Sequence, residues 1–297
     1  MEDVNLESKN SLYSDKEINA VGLGLRHKHF TDFMEDKPDV PWLEIHTENF
    51  FNLGSTASKY LAKIREDYPL SAHSVGLSLG SSSTACPIRK EHLKKIKDTI
   101  DFFEPKLVSD HLSWSASDKV HYIPDLLPVP YTEEALKIMV ENINITQETL
   151  NREILIENPS SYLSYKEADY LEWDFLTELC KKTGCNILFD VNNIFVSSHN
   201  HDFKAEDYIN NIPAKYVKEI HLAGYEVRKV EDQDVFIDTH GMPVYDPVWD
   251  LYIKAIEKYG TIPTLIEWDT NIPELSVLLE EKRKADDIIT KINEKAA

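Results

Sequence analysis

The sequence is poor in cysteine, in basic charge and in long apolar runs, and each shortage removes a class of protein. Only Cys86, Cys180 and Cys185 occur in 297 residues, in no CxxC or zinc-ribbon spacing. A disulfide framework or a structural zinc ribbon is thereby excluded, and the thiols read as buried or incidental ones in a reducing compartment. No apolar run reaches the ~18 residues of a membrane span. The N-terminal "MEDVNLESKNSLYSDKE" also lacks the apolar core of a signal peptide, so the expected location is the cytoplasm. Lys plus Arg number 32 against 52 Asp plus Glu, a formal charge of -20, which repels nucleic acid and acidic membrane surfaces. Neither GxGxxG nor GxxxxGK[ST] is present, which removes the usual phosphate cradles of nucleotide-binding folds. Internal repeats, low-complexity tracts and linker-like segments are absent too. Residues 1–18 are therefore expected to form a flexible N-terminal arm and 19–297 one catalytic domain.

What is present is alternation. Eight short apolar runs read as strands: "AVGLGL", "WLEIHT", "PLSAHS", "KLVSD", "EILIEN", "NILFDV", "VKEIHL" and "PTLIEW". Amphipathic stretches lie between most of them, with apolar residues at helical spacing, as at Leu136, Met139, Val140 and Ile143. This pattern predicts an α/β protein, a single (β/α)8 TIM barrel with extended loops at its C-terminal face. A doubly wound open sheet is the competitor. Two connections are too long for plain βα loops: the one after "VSDHLSW" and "YEVRKVEDQDVFIDTHGMPVYD". They suit a lid or a substrate rim, with Trp114, Tyr122 and Tyr131 as candidates for a peptide groove.

The strand ends carry the chemistry. His46, His73, Asp110, His111, Glu157, Asp190, Asn193, His221, Asp238, His240 and Glu267 all stand late in a strand run or just after one. A single His there is usually packed or hydrogen-bonded, and Asp110, Asn192 and Asn193 could each finish a turn or cap a helix. Repetition at one end of nearly every strand after the first is different. In a barrel these ends converge on one mouth, and so many imidazoles and carboxylates there require divalent cations to coexist. His27, His29, His92, His121, His199 and His201 read as surface or loop residues. An imidazole, carboxylate and amide set without thiolate suits iron, manganese or zinc, and residue types alone do not choose among them.

The motifs "GLGLRHKH", "WLEIHTENFF", "YPLSAHSVGLSLGS", "LVSDHLSWS", "LIENPSSYL", "LFDVNNIFVSSHN", "EIHLAGYE", "IDTHGMPV" and "PTLIEWDTNIPEL" carry a resemblance. From about Ala20 to Leu279 the chain resembles the multinuclear non-heme iron-dependent oxidative enzymes (MNIO), barrels of the xylose-isomerase type. The resemblance implies two or three iron ions in mixed Fe(II)/Fe(III) valence, with dioxygen as co-substrate. It further implies oxidative modification of a ribosomally made precursor peptide, most commonly at cysteine, and a leader-binding partner protein in a heterodimer. Carried over position by position, His46, His73, Glu157, Asp190, Asn193, His221, Asp238, His240 and Glu267 fall on iron-binding positions. Asp110 and His111 fall on catalytic positions near the metals, with a role in proton transfer. Metal-dependent phosphodiesterases and sugar isomerases of the same barrel type share much of this ligand set. The negative charge opposes the DNA-binding ones, and Asn193 puts an amide where they commonly carry an imidazole. A catalytically dead, peptide-binding barrel would be expected to have lost ligands, and none is missing.

Overall fold

Eight strands pair in parallel, each with two neighbours, and the sheet closes on itself with no free edge. The computed structural model describes residues 16–82, 88–116 and 122–296. Most of the expected N-terminal arm, Cys86, His121 and the Tyr122 side chain lie outside the described residues. The barrel strands are β1 (Val21–Gly24), β2 (Leu43–His46), β3 (Leu70–His73), β4 (Leu107–His111), β7 (Leu155–Glu157), β8 (Asn186–Asp190), β9 (Val217–Leu222) and β12 (Thr264–Ile266). They are hydrogen-bonded in chain order, and β12 returns to β1. The TIM barrel expected from the alternation is what the chain forms.

Helices α1 (Phe30–Glu35), α2 (Thr56–Arg65), α3 (Ile88–Phe103), α4 (Glu133–Leu150), α5 (Glu172–Thr183), α6 (Val191–His201), α7 (Ala205–Asn211) and α8 (Asp246–Tyr259) fill the crossovers, and α9 (Leu275–Ala296) follows the last strand. Their starts follow local chemistry. Ser55 and Thr132 cap α2 and α4 by accepting from Ser58 N and Ala135 N, contacts each worth about 1 kcal/mol. Helix α4 buries Leu136, Met139 and Ile143 on one face. Among the described residues no helix is long and apolar enough to cross a membrane.

Strand pleating sorts residues between two environments. In β2, Leu43 and Ile45 are buried among the helices, whereas Glu44 and His46 share the opposite face. The same parity puts Glu219 with His221 in β9 and Ser71 with His73 in β3. The Ser71 hydroxyl reaches across the barrel to Glu219 Oε2 at 3.3 Å, so the interior is polar below its mouth as well as at it.

Both long connections contain antiparallel hairpins that sequence periodicity did not predict. Strands β5 (Ser113–Ala116) and β6 (Tyr122–Pro128) follow β4, and β10 (Glu226–Val230) and β11 (Gln233–Ile237) follow β9. The second pair is mostly exposed and charged, so no apolar alternation marks it. Helix α1, six residues long, is not predicted from the sequence, and neither is helix α6. Its sequence "VNNIFVSSHNH" is rich in Asn, Ser and β-branched residues, weak helix formers, and the strand reading extended one residue into it. It starts because Asp190 caps it, Oδ1 accepting from Asn193 N at 2.6 Å.

Candidate metal centre

The C-terminal ends of the barrel strands surround a cavity of about 270 Å³ lined by His46, His73, His111, Glu157, Asn193, Asp238, His240, Glu267 and Asp269, among others. Three sets of donor atoms adjoin there, and a fourth, Glu44, Glu219 and His221, lies beneath them. His73, His111 and Glu157 form one, and Glu157, Asp190, His221 and Glu267 a second. His46, Glu267 and Asp269 form a third. Within each set one ligand atom per residue lies within 4.8 Å of the others. Glu157 belongs to the first two and Glu267 to the second and third, so these three sets form a chain linked by shared carboxylates.

Each donor is aimed by a neighbour. Ser109 Oγ holds His73 Nδ1 at 2.7 Å, and His73 Nε2 faces Glu157 Oε2 at 3.1 Å. His111 Nε2 approaches the same oxygen at 3.0 Å. Asn193 Nδ2 donates to Glu157 Oε1 at 3.2 Å and to the Asn158 carbonyl at 3.1 Å. The cap on α6 occupies Asp190 Oδ1 and leaves Oδ2 free. His221 Nδ1 lies 3.0 Å from Glu267 Oε2. His240 Nδ1 lies 3.2 Å from Glu267 Oε2 and 3.4 Å from Asp269 Oδ2, while its Nε2 meets Asp238 Oδ1 at 2.6 Å. Asn192 Nδ2 secures that Asp238 oxygen at 2.7 Å. His240 adopts φ 44°, an uncommon backbone for a non-glycine residue, held by its carbonyl accepting from Asp269 N and Thr270 N. A side chain on Gly224, three residues past His221, would collide with the Met242 carbonyl; this close approach packs the "HLAG" and "HGMP" turns together.

The electrostatics are those of a site built around cations. Burial opposes charge on His73, His111, His221 and His240, yet the facing carboxylates raise all four above the ordinary histidine range. Burial pushes Glu157 and Glu267 up, and the adjacent histidines pull both below the usual carboxylate range. Asp190 is raised well above that range by burial and by Glu157. Glu157 Oε2, Asp190 Oδ2, Asn193 Oδ1, His221 Nε2 and His240 Nε2 are all buried without a hydrogen-bond partner. Such a concentration of orphaned polar atoms, several of them 2.6–3.4 Å from another ligand atom but without hydrogen-bond geometry, fits divalent metal ions. No thiolate joins the set: among the described residues the free cysteines are Cys180 and Cys185, both buried at the α5–β8 junction.

The residues singled out from sequence thus divide. His46, His73, Glu157, Asp190, His221 and Glu267 enter the donor sets, and Asn193, Asp238 and His240 stand against them. His111 belongs to the first set. Asp110 does not: its Oδ2 accepts from Leu77 N at 3.0 Å and its Oδ1 from His111 N at 2.6 Å, which ties two strand-end segments together. His29, read as a surface residue, is buried against the Pro273 carbonyl, and His92 pairs with Glu48 at 3.0 Å.

Four participants escaped the sequence reading. Glu44 and Glu219 lie beneath the mouth, fully buried, with their nearest oxygens 3.4 and 3.9 Å from His221 Nε2. Burial and Glu44 raise Glu219 well above the carboxylate range. Their signal was the repeated E-x-H of "LEIH" and "KEIH", since residues two apart share a strand face. Asp269 follows Glu267 by the same spacing. Arg26, at the end of β1, contacts Asp269 and lies 3.2 Å from His46 Nε2 and 3.8 Å from Glu267 Oε1, supplying a fixed positive charge beside the third set.

Comparisons with known proteins bear on the family and the fold. Residues 20–290 match the profile of the family described as RiPP precursor modification enzyme MbnB/TglH/ChrH, enzymes acting on the precursors of ribosomally synthesised, post-translationally modified peptides. A UPF0276 protein of Vibrio parahaemolyticus is 47% identical over 272 residues, covering 92% of this chain and 93% of its own. One from Psychromonas ingrahamii is 47% identical over 276 residues, covering 92% and 96%. Among solved structures, D-psicose 3-epimerase of Clostridium cellulolyticum superposes with a TM-score of 0.60 at 10% identity, over 92% of this chain and 99% of that one. A xylose isomerase-like TIM barrel protein of Mycobacterium smegmatis, solved with magnesium, gives 0.60 at 10% identity over 92% and 97%. At such identities these two show the shared barrel alone. The extent of the profile match is what places the function: the chain belongs to the MbnB/TglH/ChrH family of RiPP precursor modification enzymes.

Proposed function

We propose that this protein is a multinuclear iron, dioxygen-dependent oxidase that modifies a cysteine of a ribosomally made precursor peptide, together with a leader-binding partner protein. The observation that supports the reading is the chain of three donor sets joined by Glu157 and Glu267. A carboxylate has two oxygens and can bridge two metal ions. His73, His111 and Glu157 would hold one ion, Glu157, Asp190, His221 and Glu267 a second, and His46, Glu267 and Asp269 a third, with Asn193, Asp238 and His240 beside them. When bound, the iron would supply a site for the substrate thiolate and electrons for dioxygen.

The chain's own groups do the rest. Ser109 fixes the His73 ring and Asn193 fixes Glu157, so neither must reorganise when the substrate enters. Arg26 keeps Asp269 ionised against the nearby Glu267. His111 Nδ1 is buried without a hydrogen-bond partner, 3.8 Å from Asp110 Oδ1, and we assign this pair the holding of a proton during turnover. Residues Leu126, Pro159 and Ser160 border the cavity and offer the peptide chain a rim.

The test is to anaerobically reconstitute the protein with Fe(II), then add a cysteine-containing precursor, the partner and dioxygen. A mass change in the precursor that requires dioxygen and disappears in Asp190→Ala and His221→Ala is expected. Phosphodiester or sugar turnover independent of dioxygen would overturn the reading.

A further inference from the structure

A second cavity of about 270 Å³ lies beside the first. The two share a wall: Leu126, Pro159 and Ser160 face the donor sets, while Pro128 and Ser161, one or two residues on, face the second cavity. Its lining is aromatic and aliphatic, with Tyr131, Tyr165, Tyr170, Trp173 and Tyr208 around Glu172, the single acid. At the rim Leu163 and Leu171 are 62% and 58% exposed. Hydrogen bonds knit the rim to the mouth: Trp114 Nε1 and the Tyr165 hydroxyl both donate to the Pro128 carbonyl, at 3.0 and 3.1 Å.

Glu172 has no use in the metal site and no counter-charge. The Tyr208 hydroxyl donates to its Oε1 at 2.8 Å and the Tyr131 hydroxyl is its other partner, but no salt bridge reaches it among the described residues. His201, the only basic side chain in the lining, is bound to the Ser161 hydroxyl at 2.6 Å. A carboxyl group set among aromatic faces and satisfied only by phenols is the complement of an organic cation, which gains from the ring quadrupoles and from the acid together. We propose that this cavity is a subsite for a lysine or arginine side chain of the precursor peptide. The proposal rests on the peptide-modifying reading above, because the shared wall lets one extended peptide reach both cavities. The net charge of -20 steers a basic segment toward this surface.

The experiment measures binding of N-acetyl-lysine methylamide and N-acetyl-norleucine methylamide to the metal-loaded protein by saturation-transfer NMR, with wild type and Glu172→Gln. Glutamine preserves the shape, its amide oxygen accepting from one tyrosine hydroxyl and its amide nitrogen donating to the other, so the variant is expected to fold. The lysine probe should bind at least tenfold tighter than norleucine, with its ε-methylene protons shifted upfield by the rings. The preference should vanish in Glu172→Gln. Equal binding of the two probes to wild type, or an undiminished preference in the variant, overturns the proposal. The probes report on the pocket without turnover: binding as expected with no precursor modification would count against the oxidase reading alone, and modification without lysine preference against the subsite alone.

Discussion

Two cavities of about the same volume stand on either side of one wall, and they treat charge in opposite ways. The first crowds histidines, carboxylates and an amide into a buried mouth, where the groups survive by sharing charges and would be relieved by metal ions. The second holds one carboxyl group in aromatic surroundings, and burial raises its pKa to about 7 because only hydroxyl groups answer it. The difference teaches that burial alone does not set protonation here. Glu157 is buried and Glu172 partly buried, yet the first is held below the ordinary carboxylate range by two histidines and the second is pushed above it.

Removing a shared carboxylate breaks the first cavity most severely. Glu157→Ala or Glu267→Ala should each cost the metal of two donor sets, while His46→Ala should cost that of one; metal content by plasma mass spectrometry checks the ratio. Loss of one ion in all three variants would show that the carboxylates do not bridge.

Next in size is the effect of pH on loading. The imidazoles of His73, His111, His221 and His240 are raised by facing carboxylates, so in the metal-free protein they retain protons above the ordinary histidine range. Metal must displace those protons. Affinity should therefore fall as pH drops from about 8 to 6, with proton release on binding measurable by calorimetry in two buffers of different ionisation enthalpy.

Ser109→Ala leaves every ligand in place but frees the His73 ring. Metal affinity in the first set should weaken roughly 10- to 100-fold, as for other groups that orient ligands.

The smallest effect belongs to the second cavity. Glu172 is raised, so its favourable neutral form is fully present below the unfolded pKa, and stability is lost as pH rises toward about 7. Glu172→Gln should therefore be more stable than wild type above pH 7, by about 1–3 kcal/mol, and no more stable near pH 4. Denaturant midpoints at the two pH values measure this, with metal content unchanged.

The alternation of eight apolar runs with amphipathic stretches pointed to a parallel α/β fold, because each strand must bury one face against helices, and the pairing of the last strand with the first decided for the barrel over the open sheet. The strand-end polar residues were legible for the same reason. What escaped notice had weak or absent local signals. Helix α6 depends on a cap from Asp190 and on packing, against its own propensity. The hairpin β10–β11 has little apolar alternation to reveal it. Glu44 and Glu219 sit inside strand runs that read as core, visible only to period-two counting.

The sequence by itself determined the period and order of the elements, and hence which end of the sheet would gather imidazoles and carboxylates. Only the closed tertiary structure decided the partnerships. Glu157 and Glu267 became shared because strands far apart in the chain bring their neighbours to the same oxygens, Arg26 met Asp269 across 243 positions, and Glu172 met tyrosines from α7 and the segment before α4. Side-chain spacing along one strand is a property of the backbone, but contact between strands depends on how the barrel closes, and that is where charge acquires its counterpart.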